Sequence, residues 1–226
     1  TPEDKEKSVR ELMKLYDQFY KNFPENAQDF EIKKAMALVD NGIDSKDEIF
    51  ALFENGFAKA ADKVTEGNTI FNYFKSYNEK FIAGDKKISI EKYIEKYAQL
   101  NQLLNNLLFT NAGKSDEYQA TLKSLKSISK EVIKCDNLSE YYEKNSAAND
   151  QNQQWLESGL ELLKPKCSNK PIFLVLAQKN YDLKKSVKSA EYLAIASLKN
   201  RKSVKDYYNP EIPTEEVVNG RLIHEP

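Results

Sequence analysis

Apolar residues recur along most of this chain at three- and four-residue steps, the spacing of an amphipathic helix. The first run extends from Leu12 to Phe23, and it predicts an opening helix over 3–23 with Thr1 as its N-cap and Pro2 at its first position. Ten further helices are predicted in the same way, over about 29–41, 46–64, 68–83, 89–110, 115–134, 137–146, 151–163, 171–183, 187–200 and 203–209.

The middle of the chain carries a seven-residue spacing. Two interleaved sets occur after Ser89, and they are Ile90, Tyr97 and Leu104, and Tyr93, Leu100 and Leu107. This spacing is typical of a helix that packs lengthwise against another helix. A helix starting near Ser115 supplies the partner, so we predict a long antiparallel helical hairpin over about 88–134.

Proline placement favours an all-α fold. All seven prolines lie outside 25–164, so this long stretch lacks the residue most hostile to helix interiors. The apolar run Ile172–Ala177 allows a strand as the alternative, but its neighbours on both sides are helical, which favours a helix there as well.

Composition excludes several classes of protein. The 226 residues hold 34 Lys and Arg against 35 Asp and Glu, and only three are arginines, so the basic surface typical of nucleic-acid binding is absent. The longest uncharged run, 97–113, contains six Asn or Gln residues, which makes a membrane span costly. The N-terminus lacks the charged and apolar regions of a signal peptide. We expect no nucleic-acid partner and no membrane-spanning segment.

Successive helix pairs suggest a structural repeat. The segment from Trp155 to Leu162 resembles the tetratricopeptide pattern, with the small Gly159 placed to let its helix approach the helix over 171–183. A second unit starts at Ala190 and includes Leu193, and Ala194 takes its small position. We predict an α-solenoid of degenerate tetratricopeptide-like pairs. If the helices are paired in this way, the opening helix over 3–23 has no helix before it to pair with. Either an upstream helix is missing or this helix caps the stack of helix pairs.

Several segments resemble a family of exported tetratricopeptide-like proteins of Bacteroidetes, of the flavobacterial type, whose function is unassigned. The segments are Leu15–Asp17, Asn22–Pro24, Ile49–Phe50, Phe57–Ala60, Tyr93–Tyr97, Cys135–Leu138, Tyr142–Asn145, Gln154–Leu156, Pro171–Phe173 and Ser189–Leu193. The resemblance covers 1 to about 209. It implies one helical domain there, a periplasmic or extracellular location and a scaffold role, while the tail over 210–226 departs from the repeat.

The two cysteines are a candidate disulfide. Cys135 and Cys167 stand 32 positions apart, close to one repeat, and each lies just before a predicted helix, at the start of two successive helices in one layer. A bridge requires Cα atoms within roughly 7 Å. The exported character implied by the resemblance favours the bridge, because oxidising compartments preserve such bonds. The alternative is a pair of reduced, unrelated cysteines.

The remaining motifs point to no reaction. Gly113-Lys114-Ser115 matches part of a phosphate loop, but the position five before Gly113 is Leu108 and no strand precedes it. The acidic stretch from Asp40 to Glu48 lacks the ligand spacing of a calcium loop. The single histidine, His224, has no nucleophile beside it. We therefore expect a protein that is not an enzyme and that has no cofactor and no metal.

The aromatic residues over 70–97 allow two interpretations. Burial in the core is the first, and the second is that Tyr73, Tyr77 and Tyr93 line a concave face and bind a partner. We predict a non-catalytic scaffold that binds another protein or a peptide through a groove. The alternative is a helical domain that binds a peptide or glycan ligand or assists an enzyme.

Overall fold

The computed structural model describes residues 1–199, and these residues are helical throughout, without a strand. Their ten α-helices are α1 (Pro2–Asn22), α2 (Phe30–Asp40), α3 (Lys46–Ala60), α4 (Gly67–Ile82), α5 (Ile90–Thr110), α6 (Ser115–Ser129), α7 (Cys135–Asn145), α8 (Gln153–Cys167), α9 (Pro171–Leu183) and α10 (Val187–Lys199). The predicted all-α class is confirmed. The apolar run Ile172–Ala177, for which a strand was the alternative, lies within α9.

Local sequence explains several of the helix ends. Thr1 accepts a hydrogen bond from the Asp4 backbone N–H while the Asp4 carboxylate accepts one from the Thr1 amino group, which forms a capping box at α1. Gly42 follows α2 and Gly84 follows α4, with φ angles of 67° and 81°. Both glycines adopt the left-handed conformation that ends a helix at little steric cost.

The described chain divides into two compact units. The first is Thr1–Lys134 and contains α1 to α6. The second begins at Cys135 and contains α7 to α10 as far as Lys199. The predicted helix over 203–209 and the predicted tail over 210–226 lie outside the described residues, so the single domain predicted over 1–209 stays a prediction.

Alternate helices of the first unit run in the same direction. Arg10 of α1 binds Glu48 near the start of α3, and Lys59 near the end of α3 lies 5.9 Å from the ring of Tyr20 near the end of α1. The two contacts join residues 38 and 39 positions apart, in the same order along each helix. The two helices are therefore parallel, and α2 packs against both.

Consecutive helices of the first unit are antiparallel. Phe50 of α3 packs on Tyr77 of α4 with ring centroids 5.8 Å apart, and Glu54 further along α3 accepts a hydrogen bond from Tyr73 earlier in α4. At the connection between α5 and α6, Asn111 donates a hydrogen bond to the hydroxyl of Tyr118 near the start of α6 at 3.1 Å. Helices α5 and α6 pack against each other over the range predicted as a hairpin.

The second unit repeats this alternation. Lys170 before α9 binds Asp136 in α7 at 2.9 Å, and Lys179 further along α9 donates to the carbonyl of Ser146 after α7. These contacts show that α7 and α9 are parallel. Helices α8 and α10 are also parallel, because two ion pairs join them with the same separation of 27 positions, Glu161 with Lys188 and Lys164 with Glu191.

Candidate binding groove

A cleft of about 500 Å³ opens on the first unit between the end of α2, the start of α3 and one face of α4. We call it the groove. Its lining residues are Val39, Asp44, Lys46, Asp47, Ile49, Asn72, Lys75, Ser76, Glu79, Lys80, Ile82 and Ala83. The volume falls within the range of roughly 300–1,000 Å³ that ligand sites occupy.

Helix α4 has a polar face that lines the groove and an opposite face that is buried. Asn72, Lys75 and Glu79 stand three and four positions apart, so they share the face that lines the groove. Ile70, Phe74 and Tyr77 share the opposite, buried face. The groove therefore lies against a helix that is anchored from behind by a packed core, which keeps its wall in place.

The floor and one end of the groove are apolar. Ile49 is nearly buried and Val39 is half-buried, while Ile82 at the end of α4 remains 67% exposed. An exposed isoleucine beside half-buried aliphatic residues offers a contact for one apolar side chain of a ligand.

The rim of the groove carries charges of both signs. Asp47 pairs with Lys80, and the hydrogen bond from this lysine holds the pKa of the aspartate below its usual range. Lys46 lies 3.9 Å from Glu79, a loose contact. Neither Lys75 nor Asp44 has an ion-pair partner among the described residues, so each remains available to a charged ligand.

A partly buried polar network supports the groove from the far side of α4. The hydroxyl of Tyr73 donates to Glu54 and accepts a hydrogen bond of 2.5 Å from Lys96, which also lies 3.3 Å from Glu54. Burial raises the pKa of Tyr73 strongly, and the Glu54 carboxylate raises it further. Both effects keep the phenol neutral and able to donate. The network links α3, α4 and α5.

The three tyrosines predicted as partner-binding residues do not reach the surface. Tyr73, Tyr77 and Tyr93 are at most 4% exposed. Tyr93 donates to the buried amide oxygen of Asn78 at 2.6 Å, and the Tyr73 ring stacks on Phe57 at 4.2 Å. The prediction that they bind a partner is wrong, because α3 and α5 cover the two tyrosines of α4, and Tyr93 of α5 packs against Phe74 and Phe81 of α4. They belong to the core.

The structure joins Cys135 and Cys167 in a disulfide with Cα atoms 5.4 Å apart, inside the range that the bond requires. The bond links the first residue of α7 to the last residue of α8. Cys167 is completely buried, and the ion pair between Lys170 and Asp136 lies next to the bond in sequence. This end of the second unit is fixed by a covalent bond and a charge pair together.

Gly159 makes a close helix contact, but its neighbour differs from the one expected. A Cβ atom at this position would lie 2.5 Å from Cε1 of Tyr142. The glycine therefore lets α8 approach α7 rather than the following helix α9. Trp155, one turn earlier, is half-buried and packs on the same tyrosine at 4.8 Å. Leu162 is half-buried in α8.

The small position predicted in α10 is displaced by two residues. Ala194 is exposed and Leu193 is half-buried, whereas Tyr192 and Ala196 are buried. The prediction for Ala194 is wrong, because Tyr192 turns inward against Phe173 of α9 and sets which face of the helix is covered.

The described residues show no group of three or more His, Cys, Asp or Glu side chains placed to hold a metal ion. His224 lies outside the described residues. None of the described helices combines the length and the apolar character needed to cross a membrane.

Comparison with known proteins gives no relative for this chain. No protein-family model matches it, and neither a curated protein nor a solved structure is similar to it. The resemblance to exported Bacteroidetes proteins therefore stays a prediction.

Proposed function

We propose that this protein is a non-catalytic scaffold of tetratricopeptide-like helix pairs that binds a segment of another protein in the groove. The observation that carries the proposal is the groove itself, an apolar floor with an unpaired lysine and an unpaired aspartate on its rim. Such a surface suits a short peptide, which brings an apolar side chain together with polar backbone and charged groups.

The helix order supports a repeat of this type. Parallel alternate helices occur in both units, α1 with α3 and α7 with α9, each with an antiparallel helix between them. In a stack of helix pairs, each pair buries its apolar face against its neighbours, and one helix of each pair lines a common surface. Helices α2 and α4 would occupy this lining position, and the groove lies between them.

The second candidate function is binding of a small ligand such as a glycan. The observation that favours it is the volume of about 500 Å³, which a small molecule can fill. Against it stands the open rim of charged side chains, since small-ligand sites usually enclose most of the ligand surface in apolar walls. Peptide binding therefore remains the preferred function.

We also propose a periplasmic or extracellular location. The disulfide between Cys135 and Cys167 supports it, because such bonds persist in oxidising compartments and are rare in the cytosol.

Selection from a displayed library of short random peptides tests the proposal. We expect the protein to enrich peptides that share an apolar residue near an acidic one. Affinities of selected peptides are then measured by fluorescence anisotropy for Lys75→Glu and Ile82→Ser. Each substitution should weaken binding about tenfold or more, the size of effect that the loss of about 1.4 kcal/mol gives.

Matched controls lie outside the groove. Phe109→Ser alters an even more exposed apolar residue in α5, and Lys123→Glu reverses an exposed charge in α6. Both should bind like the unmodified protein. Peptides that bind the groove variants and the controls equally would refute the proposal. Glycans on an array that bind the unmodified protein and lose the two groove variants would favour the second candidate.

A further inference from the structure

Two Asn-Gly pairs lie among the described residues, Asn41-Gly42 and Asn55-Gly56. Asparagine is one of the chemically labile residues, because its side-chain amide can react with the backbone nitrogen of the next residue. Glycine favours this reaction, since it has no Cβ to obstruct the approach and its backbone rotates freely. The two pairs have the same residues, so the surrounding structure decides how they differ.

The first pair lies at an exposed helix end. Asn41 follows α2, and Gly42 is exposed with a φ angle of 67°. Two backbone hydrogen bonds cross this turn, from Gly42 to the carbonyl of Val39 and from Ile43 to that of Leu38, each 3.0 Å long. A Cβ added at Gly42 would meet no atom within 4 Å. Backbone at an exposed and loosely packed helix end opens at little cost in free energy.

The second pair lies in the middle of α3, and its glycine is buried against α2. A Cβ added at Gly56 would lie 2.5 Å from Cγ1 of Ile32 and 2.9 Å from its backbone nitrogen. Inside an α-helix, each backbone N–H is bonded to the carbonyl four positions earlier. Moving the Gly56 nitrogen toward the Asn55 side chain therefore requires α3 to unwind where it packs closely on α2.

We propose that Asn41 is a site of spontaneous deamidation and that the fold protects Asn55 from the same reaction. The Gly42 nitrogen forms a bond to Cγ of Asn41, and the side-chain nitrogen leaves as ammonia together with the proton of the Gly42 amide. The product is a cyclic imide. Water then opens the ring and leaves aspartate or isoaspartate at position 41. The inference does not rest on the proposed function, since no ligand takes part in the reaction.

The reaction places a negative charge at the C-terminal end of α2. The Asn41 side-chain nitrogen donates a hydrogen bond to the carbonyl of Ala37 at 2.8 Å, and an ionised carboxylate cannot donate this bond. The new charge also lies at the negative end of the helix dipole. An isoaspartate in addition lengthens the backbone by one atom, which disturbs the hydrogen bonds of the turn. Deamidation therefore destabilises the end of α2.

Peptide mapping of the full chain by mass spectrometry, after incubation at mildly alkaline pH, tests the proposal. Trypsin cleaves after Lys and Arg, so it releases the two pairs in separate peptides, 35–46 and 47–59. In the folded protein, the first peptide should deamidate at least about tenfold faster than the second, which corresponds to an opening free energy lower by about 1.4 kcal/mol. In urea that unfolds the chain, the two rates should become similar, because the protection of Asn55 is lost.

Gly84 identifies a matched control variant for the turn. It ends α4 in the same left-handed conformation and with the same pair of backbone hydrogen bonds, yet the residue before it is Ala83. Asn41→Ala should therefore keep the turn and show no mass change in its peptide. Asn41→Asp, which has the side chain of one product, should melt about 1–4 °C below Asn41→Ala because of its charge at the helix end.

The rates decide the outcome. Equal rates for the two peptides in the folded protein, or a faster reaction at Asn55, would overturn the proposal. It would also be overturned if Asn41 stayed intact in the folded protein while the chain in urea reacted completely.

Discussion

The two units use the same helix alternation but stabilise it differently. In the first unit, aromatic rings of α3, α4 and α5 pack together, and polar groups such as those of Glu54 and Lys96 are joined through a tyrosine hydroxyl. In the second unit, a disulfide joins the start of α7 to the end of α8, and the buried residues of α8 and α9 are largely aliphatic. The first unit relies on a large core, and the second adds a covalent link.

The difference follows from size. The first unit contains six helices, whereas the described part of the second contains four. A smaller unit buries a smaller fraction of its surface, so its core supplies less stabilisation. A disulfide offsets this deficit by restricting the unfolded chain. We expect each unit to be sensitive to a different kind of change.

The largest difference should come from removing the disulfide. Replacing both Cys135 and Cys167 by alanine should lower the free energy of unfolding of the second unit by about 3–4 kcal/mol, on the chain-entropy estimate for a loop of this length. Trp155 is the only tryptophan of the chain, so its fluorescence during urea unfolding reports on this unit.

Hydrogen exchange of peptides from 1–134 supplies the control for the disulfide variant. Their protection should not change, because the disulfide lies entirely within the second unit. Equal loss of protection in both units would contradict the view that the disulfide stabilises the second unit alone.

A medium effect should come from the same substitution at a close helix contact in each unit. The added Cβ of Gly56→Ala would meet Cγ1 of Ile32 at 2.5 Å and its backbone nitrogen at 2.9 Å. That of Gly159→Ala would meet the ring of Tyr142 at 2.5 Å. Overpacking costs about 1–3 kcal/mol. Gly56→Ala should lie at the upper end, because backbone atoms cannot rotate away.

Urea titration followed by circular dichroism measures both glycine substitutions. Gly113→Ala is the matched control, since the nearest atom to its added Cβ is 3.9 Å away. It should change stability by less than about 0.5 kcal/mol. A larger loss for Gly113→Ala than for Gly56→Ala would show that helix contact is not the cause.

The smallest effect on stability should come from the buried phenol of Tyr77, and it should become measurable only at alkaline pH. Burial raises the pKa of Tyr77 to about 12, and the nearby Glu54 carboxylate contributes in the same direction. An unfolded tyrosine ionises near pH 10. The contribution of Tyr77 is therefore fully present below about pH 10, and it is lost as pH rises from about 10 to about 12 because the unfolded state releases its proton first.

Urea unfolding at several alkaline pH values tests the tyrosine prediction. Tyr77→Phe should lose less stability between about pH 10 and 12 than the unmodified protein. Tyr20→Phe alters a tyrosine that is 43% exposed and should follow the unmodified protein. Identical pH profiles for Tyr77→Phe and Tyr20→Phe would show that the buried phenol does not control the alkaline loss.

Local sequence predicted the helices well and their caps less well. Ser45 and Glu48 have the residue types and the spacing of a capping box, which would place a side-chain cap at the start of α3, yet the Ser45 side chain makes no cap hydrogen bond. Instead, Arg10 of α1 donates to the Ser45 hydroxyl at 3.2 Å and binds both oxygens of Glu48. Arg10 lies 35 positions before Ser45 in the chain, and no local pattern reveals their contact.

The groove was beyond prediction from the pattern alone. Lys75 lies on the polar face of α4 and Ile82 is the last residue of this helix. Residues at both kinds of position are ordinarily exposed to solvent. What makes them line a cleft is the position of Val39 at the end of α2. The sequence pattern predicts only the opposite face of α4, because the aromatic residues there recur at three- and four-residue steps and indicate a buried face.

The sequence by itself determined where helices form, where they end at Gly42 and Gly84, and that Gly159 needs a small residue, since these features depend on periodicity, backbone conformation and side-chain size. Only the tertiary structure decided that Tyr142 is the neighbour of Gly159 and that the tyrosines of α4 and α5 are internal. These outcomes depend on which helix packs against which face, and contacts between distant segments leave no local pattern in the chain.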